Sequence, residues 1–233
     1  FVMKLCLRIM LLLAVFMLSV TFNVNVEAAK KTIAVTAVEN QYNNSYGRQA
    51  ARDLDTELTA VLVNCGIYNV VERAQLDHEI KELGLHSSGM INGKTAIQFG
   101  QLTGTDYSVI GNVVAADVMR SDNGLWKGVK AKIKMGLKFI DNKTGAIKIA
   151  DIFEGSNTVS EFENQNPNGH ILLSNAAKDV AKKVLARIQE VNPVIGNVLG
   201  VQGDMVYISI GSEMGARKNE QYVIFNEGNI LTD

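Results

Sequence analysis

The stretch that decides the fold is Val129-Lys130-Ala131-Lys132-Ile133-Lys134-Met135-Gly136-Leu137-Lys138-Phe139-Ile140, followed by Asp141-Asn142-Lys143-Thr144-Gly145. Val129, Ala131, Ile133, Met135, Leu137 and Phe139 recur every second residue, with Lys130, Lys132, Lys134 and Lys138 on the alternate positions. A period of two places the apolar set on one side of a strand and the lysines on the other. The Asp-Asn-Lys-Thr-Gly run is rich in turn formers, so Ala146–Glu154 is expected to return as an antiparallel partner. A sheet with one apolar face needs a layer to cover it.

Two long amphipathic segments supply that layer. Gly47–Asn64 carries Leu54, Leu58, Val61 and Leu62 at helical spacing and ends at Gly66; Ile171–Val191 is a longer helix of the same kind. Thr32–Val38, Ile67–Glu72 and Tyr107–Ala115 read as strands, and Arg73–Leu83 and Thr95–Leu102 as shorter helices closed by Gly84 and Gly104. Asp117–Gly128 is polar and is expected to loop out, and Ser156–Gly169 is polar. Asn192-Pro193 marks a boundary. Beyond it Val198, Val201, Val206-Tyr207-Ile208 and Tyr222-Val223-Ile224-Phe225 form a glycine-rich β pattern. The fold class is α+β: an α/β sandwich-like core with a mixed β-sheet over residues 29–191, plus a small C-terminal β-unit over 194–233. Roughly 40 residues rarely support a core of their own, so that unit is expected to pack on the first domain or to be cut short at Asp233.

Residues 1–28 read as a secretory signal peptide. Lys4 and Arg8 make a positive start, an apolar run extends from Ile9 to about Val20, and Val26-Glu27-Ala28-Ala29 offers a small-x-small exit. The run is shorter than the roughly 20 apolar residues that span a bilayer. The chain is therefore expected to be exported, in the periplasm or secreted. Cys6 lies within the signal. No cysteine occurs from Thr21 to Ala29, so no lipid anchor is expected, although peripheral association with the outer membrane stays open. Cys65 is then the one remaining thiol, and its apolar neighbours Val61, Leu62 and Val63 suggest a buried structural role. A net charge of −1 gives no global footprint for nucleic acid.

Recognisable catalytic chemistry is missing. Gly89-Met90-Ile91-Asn92-Gly93-Lys94-Thr95 approaches a P-loop, but its first glycine falls one residue late and it follows a helix rather than a strand. His78, His86 and His170 show no metal-ligand spacing. There is no Gly-x-Ser-x-Gly elbow. No catalytic residue, cofactor or metal is predicted. The candidate surface is the lysine row Lys130, Lys132, Lys134 and Lys138. Residues 127–148 hold seven lysines against one acid, Asp141. Such a strand face suits an anionic glycan, lipid headgroup or acidic partner; the plainer reading is a solvated or edge-protecting face.

Several segments together resemble the CsgG family. Ile33-Ala34-Val35 leading to Glu39-Asn40 and Gly47-Arg48 is similar to its opening strand and loop. Val70-Val71-Glu72-Arg73 with Gln75-Leu76-Asp77 and Glu82-Leu83-Gly84-Leu85 is the most specific match. Leu102-Thr103-Gly104-Thr105-Asp106-Tyr107, ending in Gly111, resembles the "LGADY…G" segment, and Asp141–Gly145 the "DxxTG" hairpin. The order holds across about residues 32–190, and the tail from Gly203 to Ile208 resembles β-modules of related envelope proteins.

The resemblance implies a bacterial envelope protein. The founding member is an outer-membrane lipoprotein that forms a ring-shaped pore for curli subunits. Relatives with the same core are periplasmic, and include activators of penicillin-binding proteins and flagellar basal parts. This chain departs from the pore pattern in its missing lipidated cysteine. A membrane hairpin needs strands of about 9–11 residues, and the polar gaps at 117–128 and 156–169 are short and charged. The expected function is a non-catalytic assembly or binding protein, with envelope proteins or anionic envelope components as partners and homo-oligomers allowed. The rival readings are a subunit of a curli-type secretion channel and an enzyme acting on envelope polymer.

Overall fold

The computed structural model describes residues 30–42, 44–71, 76, 93–122, 127–160, 167–216, 218–219 and 221–225. The signal peptide expected at residues 1–28, most of the helix expected at Arg73–Leu83, the histidines His78 and His86, and the loop through Asn92 lie outside the described residues. Strands β1 (Lys31–Val35), β2 (Glu39–Asn40), β3 (Tyr68–Val71), β4 (Tyr107–Asp122), β5 (Lys127–Asp141) and β6 (Ile147–Ser160) form one sheet. The order is β3-β1-β4-β5-β6, with β2 also paired to β4. β1 runs parallel to β3 and β4, whereas β4, β5 and β6 are antiparallel. The sheet is mixed and the class α+β, as the alternation and the helical segments predict.

Helices α1 (Ser45–Asn64) and α3 (Gly169–Val191) cover one face. Asn44 caps α1 by accepting from the Gly47 N–H at 2.6 Å, and Asn168 caps α3 through the His170 N–H at 2.9 Å. Leu54, Leu58 and Leu62 descend one side of α1 at four-residue intervals and are fully buried. Ala176, Ala177 and Ala181 keep α3 low on the sheet, so that Val180, Val184 and Ile188 reach the apolar row of β5. The opposite face is covered at the β1 and β3 end by α2 (Gly93–Thr103), whose Phe99 packs with Ala34, Leu76 and Val71. Among the described residues nothing covers the rest of that face over β4–β6, beyond the buried Ser108, Ile110 and Ile140.

Two polar clusters fix the corners. Asn142, in the turn after β5, accepts from the Ser108 hydroxyl at 2.9 Å and donates to the Thr105 hydroxyl at 2.9 Å. Thr103 joins through its hydroxyl, 2.7 Å from that of Thr105. Gly100 makes room: a Cβ there would stand 2.5 Å from that of Asn142. At the far end of α3, Asn192 donates to the Tyr68 hydroxyl and accepts from that of Tyr107, each at 3.0 Å.

Three expectations are corrected. The strand expected at Thr32–Val38 ends at Val35, because the chain steps along β4 and pairs again as β2. Residues 117–122 and 127–128 belong to β4 and β5, so the first polar gap is largely strand, and β6 runs past Glu154 to Ser160 into the second. A backbone ladder needs partners rather than apolar side chains, and Val129 and Ala131 still bury one face there. Tyr222–Phe225 lies in no strand; Val223 is 88% exposed. The C-terminal unit holds one hairpin, β7 (Val198–Gln202) and β8 (Met205–Ile208), turning at Gly203 with φ of 57°. A hollow of about 980 Å³ is lined in part by Ile67, Pro193, Ile195, Ile210 and Tyr222.

Asn142→Ala leaves the buried Ser108 hydroxyl without its acceptor and takes a donor from Thr105, and should lower unfolding free energy by about 1–3 kcal/mol in a denaturant titration. Asp106 accepts from the Thr32 N–H at 2.8 Å and pairs with Lys143 at 2.8 Å. Burial pushes its carboxyl up, but the bonds from Lys143 and Thr32 outweigh that and hold it below the usual range. A lowered folded value gives stability that is full above the ordinary carboxyl range and lost as pH falls through the folded value. Wild type should therefore melt above Asp106→Asn at neutral pH, with the gap closing in strong acid.

Candidate functional site

The open face of β4–β6 is built on the second half of the β5 alternation. Lys130, Lys132, Lys134, Gly136 and Lys138 point to this side, roughly 7 Å apart along the strand. All four predicted lysines therefore share one face. Their neighbours across the ladder are set by two β-bulges. One, between Val113 and Ala115 in β4, puts Asp117 opposite Lys132. The other, beside Phe139 and Ile140, puts Glu154 opposite Lys134. Without either extra residue the acid would sit one position out of register, on the helix-covered side.

The lysines are thus unequal. Lys132 and Lys134 share Glu154, at 2.7 and 3.6 Å. The hydrogen bond from Lys132, foremost, holds the Glu154 carboxyl below its usual range. Asp117 is occupied as well, since Tyr42 donates its hydroxyl to it at 3.3 Å. Among the described residues Lys130 and Lys138 have no ion pair. Lys138 borders a shallow hollow of about 260 Å³ beside Asn112, Gln41, Ile110 and Ile152. Gly136 opens it, because a Cβ there would lie 2.7 Å from Asn112 Oδ1. Asn112 is itself steadied by donating to Gln41 Oε1 at 3.1 Å.

The flanking lysines do not join this face. Lys127 pairs with Asp122 at 2.9 Å, Lys143 with Asp106, and Lys148 lies 5.9 Å from the Tyr107 ring centroid. Glu154 and Asp117 went unrecognised in the sequence. Their signal was register, which the two bulges shift.

The remaining candidates are dispersed. Lys94 and Thr95 sit in the first turn of α2, away from the lysine face. His170, on the first turn of α3, meets the Gln49 amide through Nδ1 and stacks loosely on Tyr46, with ring centroids 5.9 Å apart. The nearby Ser174 donates to Asp53 at 2.7 Å, not to the imidazole. This cluster joins α1 to α3. Cys65 is buried, its thiol donating to the Leu62 carbonyl. Among the described residues no group of three His, Cys, Asp or Glu could hold a metal ion. No helix among them is long and apolar enough to cross a membrane.

Comparison with known proteins places this architecture. No curated protein matches the chain. A lipoprotein from Neisseria meningitidis superposes with a TM-score of 0.44 at 15% identity, over 69% of this chain and 99% of that one. A hypothetical protein from Chlamydia trachomatis gives 0.46 at 10% identity, over 70% and 99%. The PelC dodecamer from Paraburkholderia phytofirmans gives 0.36 at 16% identity, over 68% and 89%. These scores are too low to carry an argument about function. The model of the curli production assembly/transport component CsgG matches residues 18–167, more than half of the chain, and so the protein belongs to the CsgG family.

Proposed function

We propose that this protein is an exported, non-catalytic binding or assembly component of the bacterial cell envelope, residing in the periplasm. In this reading residues 29–191 form the working domain and the open face of β4–β6 is its contact surface. One observation carries it: the helices and α2 cover the rest of the sheet, while this face presents lysines beyond those its own acids neutralise. The partner it fits is an anionic envelope component or an acidic patch on an envelope protein. Membership of the CsgG family supports the envelope setting. Homo-oligomers are compatible with this role.

Binding through exposed lysines is screened by salt. The full chain should bind vesicles containing an anionic lipid, or an anionic glycan, at low ionic strength and release them at roughly 0.5 M salt. Lys130→Gln with Lys138→Gln should weaken binding more than Lys132→Gln with Lys134→Gln, because Lys132 and Lys134 are already partly neutralised by Glu154. Equal retention by all four single-site replacements combined would overturn the reading.

A second reading is a subunit of a curli-type secretion channel. Its support is the length of the β4–β5 ribbon, 16 and 15 residues, against about 9–11 for a membrane strand. Lysines along a lipid-facing side speak against it. Complete extraction from membranes by alkaline carbonate would exclude the channel; resistance to carbonate with release only by detergent would favour it.

A further inference from the structure

Among the described residues β6 is an edge strand 14 residues long, paired only with β5. In an antiparallel ladder alternate residues turn both backbone groups away from the partner strand. An unpaired edge of this length invites another strand. Here three successive outward residues are answered by side chains instead. The Ile152 N–H donates to Asp151 Oδ1 at 2.7 Å. The Glu154 carbonyl accepts from Lys183 Nζ at 2.8 Å. The Ser156 N–H donates to Asp179 Oδ2 at 3.3 Å.

Asp179 and Lys183 also pair with each other at 2.9 Å, one turn apart on α3. An ammonium beside the carbonyl and a carboxylate beside the N–H stand where the N–H and C=O of a neighbouring strand would go. Gly155 brings them there. A Cβ on it would lie 2.4 Å from the Ala176 carbonyl oxygen and 2.9 Å from the Val180 nitrogen. The helix thus rests directly on the strand at the point where its side chains reach over the edge.

We propose that Asp151, Asp179 and Lys183 form a clip that keeps β6 from accepting another strand, and that the occupant it excludes is the β6 edge of a second copy. A second copy offers the same edge, and antiparallel pairing about a twofold axis joins like to like. Centred on Gly155, that pairing sets Glu154 against Ser156 and Asp151 against Val159, so no two carboxylates oppose each other. The clip consists of exposed ion pairs and single hydrogen bonds, each weak by itself, and is therefore readily displaced. It is separate from the lysine face and does not depend on the role proposed for it.

Sedimentation velocity on the full chain tests it. Asp151→Ala, Asp179→Ala and Lys183→Ala together should tighten self-association about tenfold or more over wild type, with unchanged circular dichroism. Adding Ser156→Pro, which removes an outward N–H and no bond to β5, should cancel the gain. A folded triple variant that associates as wild type does, or a gain that survives Ser156→Pro, would overturn the clip. Should the triple variant fail to fold, wild type near 1 M salt takes its place, where screening acts over about 3 Å. Association there that Ser156→Pro removes supports the clip; its absence refutes it.

Discussion

The structure leans on one row of side chains, the apolar half of β5. Ala131, Ile133, Met135 and Phe139 are fully buried; α3 rests on β5 and β6, and α1 packs beside it on β4 and on α3 itself. β5 has a strand on each side and helices over one face, so its backbone and half of its side chains are committed to the interior. The other half is thereby sent to a single open surface. The lysine row is a by-product of that commitment: with the apolar face held down, the lysines have nowhere else to point.

Much of this was legible in the residues. The twofold alternation of 129–140, the turn at Asp141–Gly145 and the leucine spacing of α1 each name their element, because each reports a local periodicity imposed by one buried face. The family segments from Ile33 to Gly145 also fell in the expected order. What escaped is what periodicity does not encode. The ends of β4, β5 and β6 continue on polar residues such as Asp117 and Ser156, since hydrogen-bond partners rather than hydrophobicity extend a ladder. The surface was read as seven lysines against one acid; Glu154 and Asp117 temper it only once the strands are aligned.

The same division holds at the edge of the sheet. Ala176, Val180 and Gly155 look in sequence like ordinary small core residues, and Asp179–Lys183 like an ordinary helix pair. Their juxtaposition puts a charged pair against the backbone of an edge strand. Among the described residues the C-terminal hairpin has no comparable cover, and its Leu199 and Val201 remain two-thirds or more exposed.

The two β-bulges carry a consequence for how such a surface diversifies. Each extra residue decides which side of the sheet a carboxylate occupies, so a single-codon deletion in β4 or between β5 and β6 would move an acid to the opposite side with no amino acid replaced. Charge on the open surface could then change through length variation alone, while the row on β5 that supports the interior stayed letter for letter the same. Homologues could then keep the same residues on either side of a one-residue gap and still present a different charge on this surface.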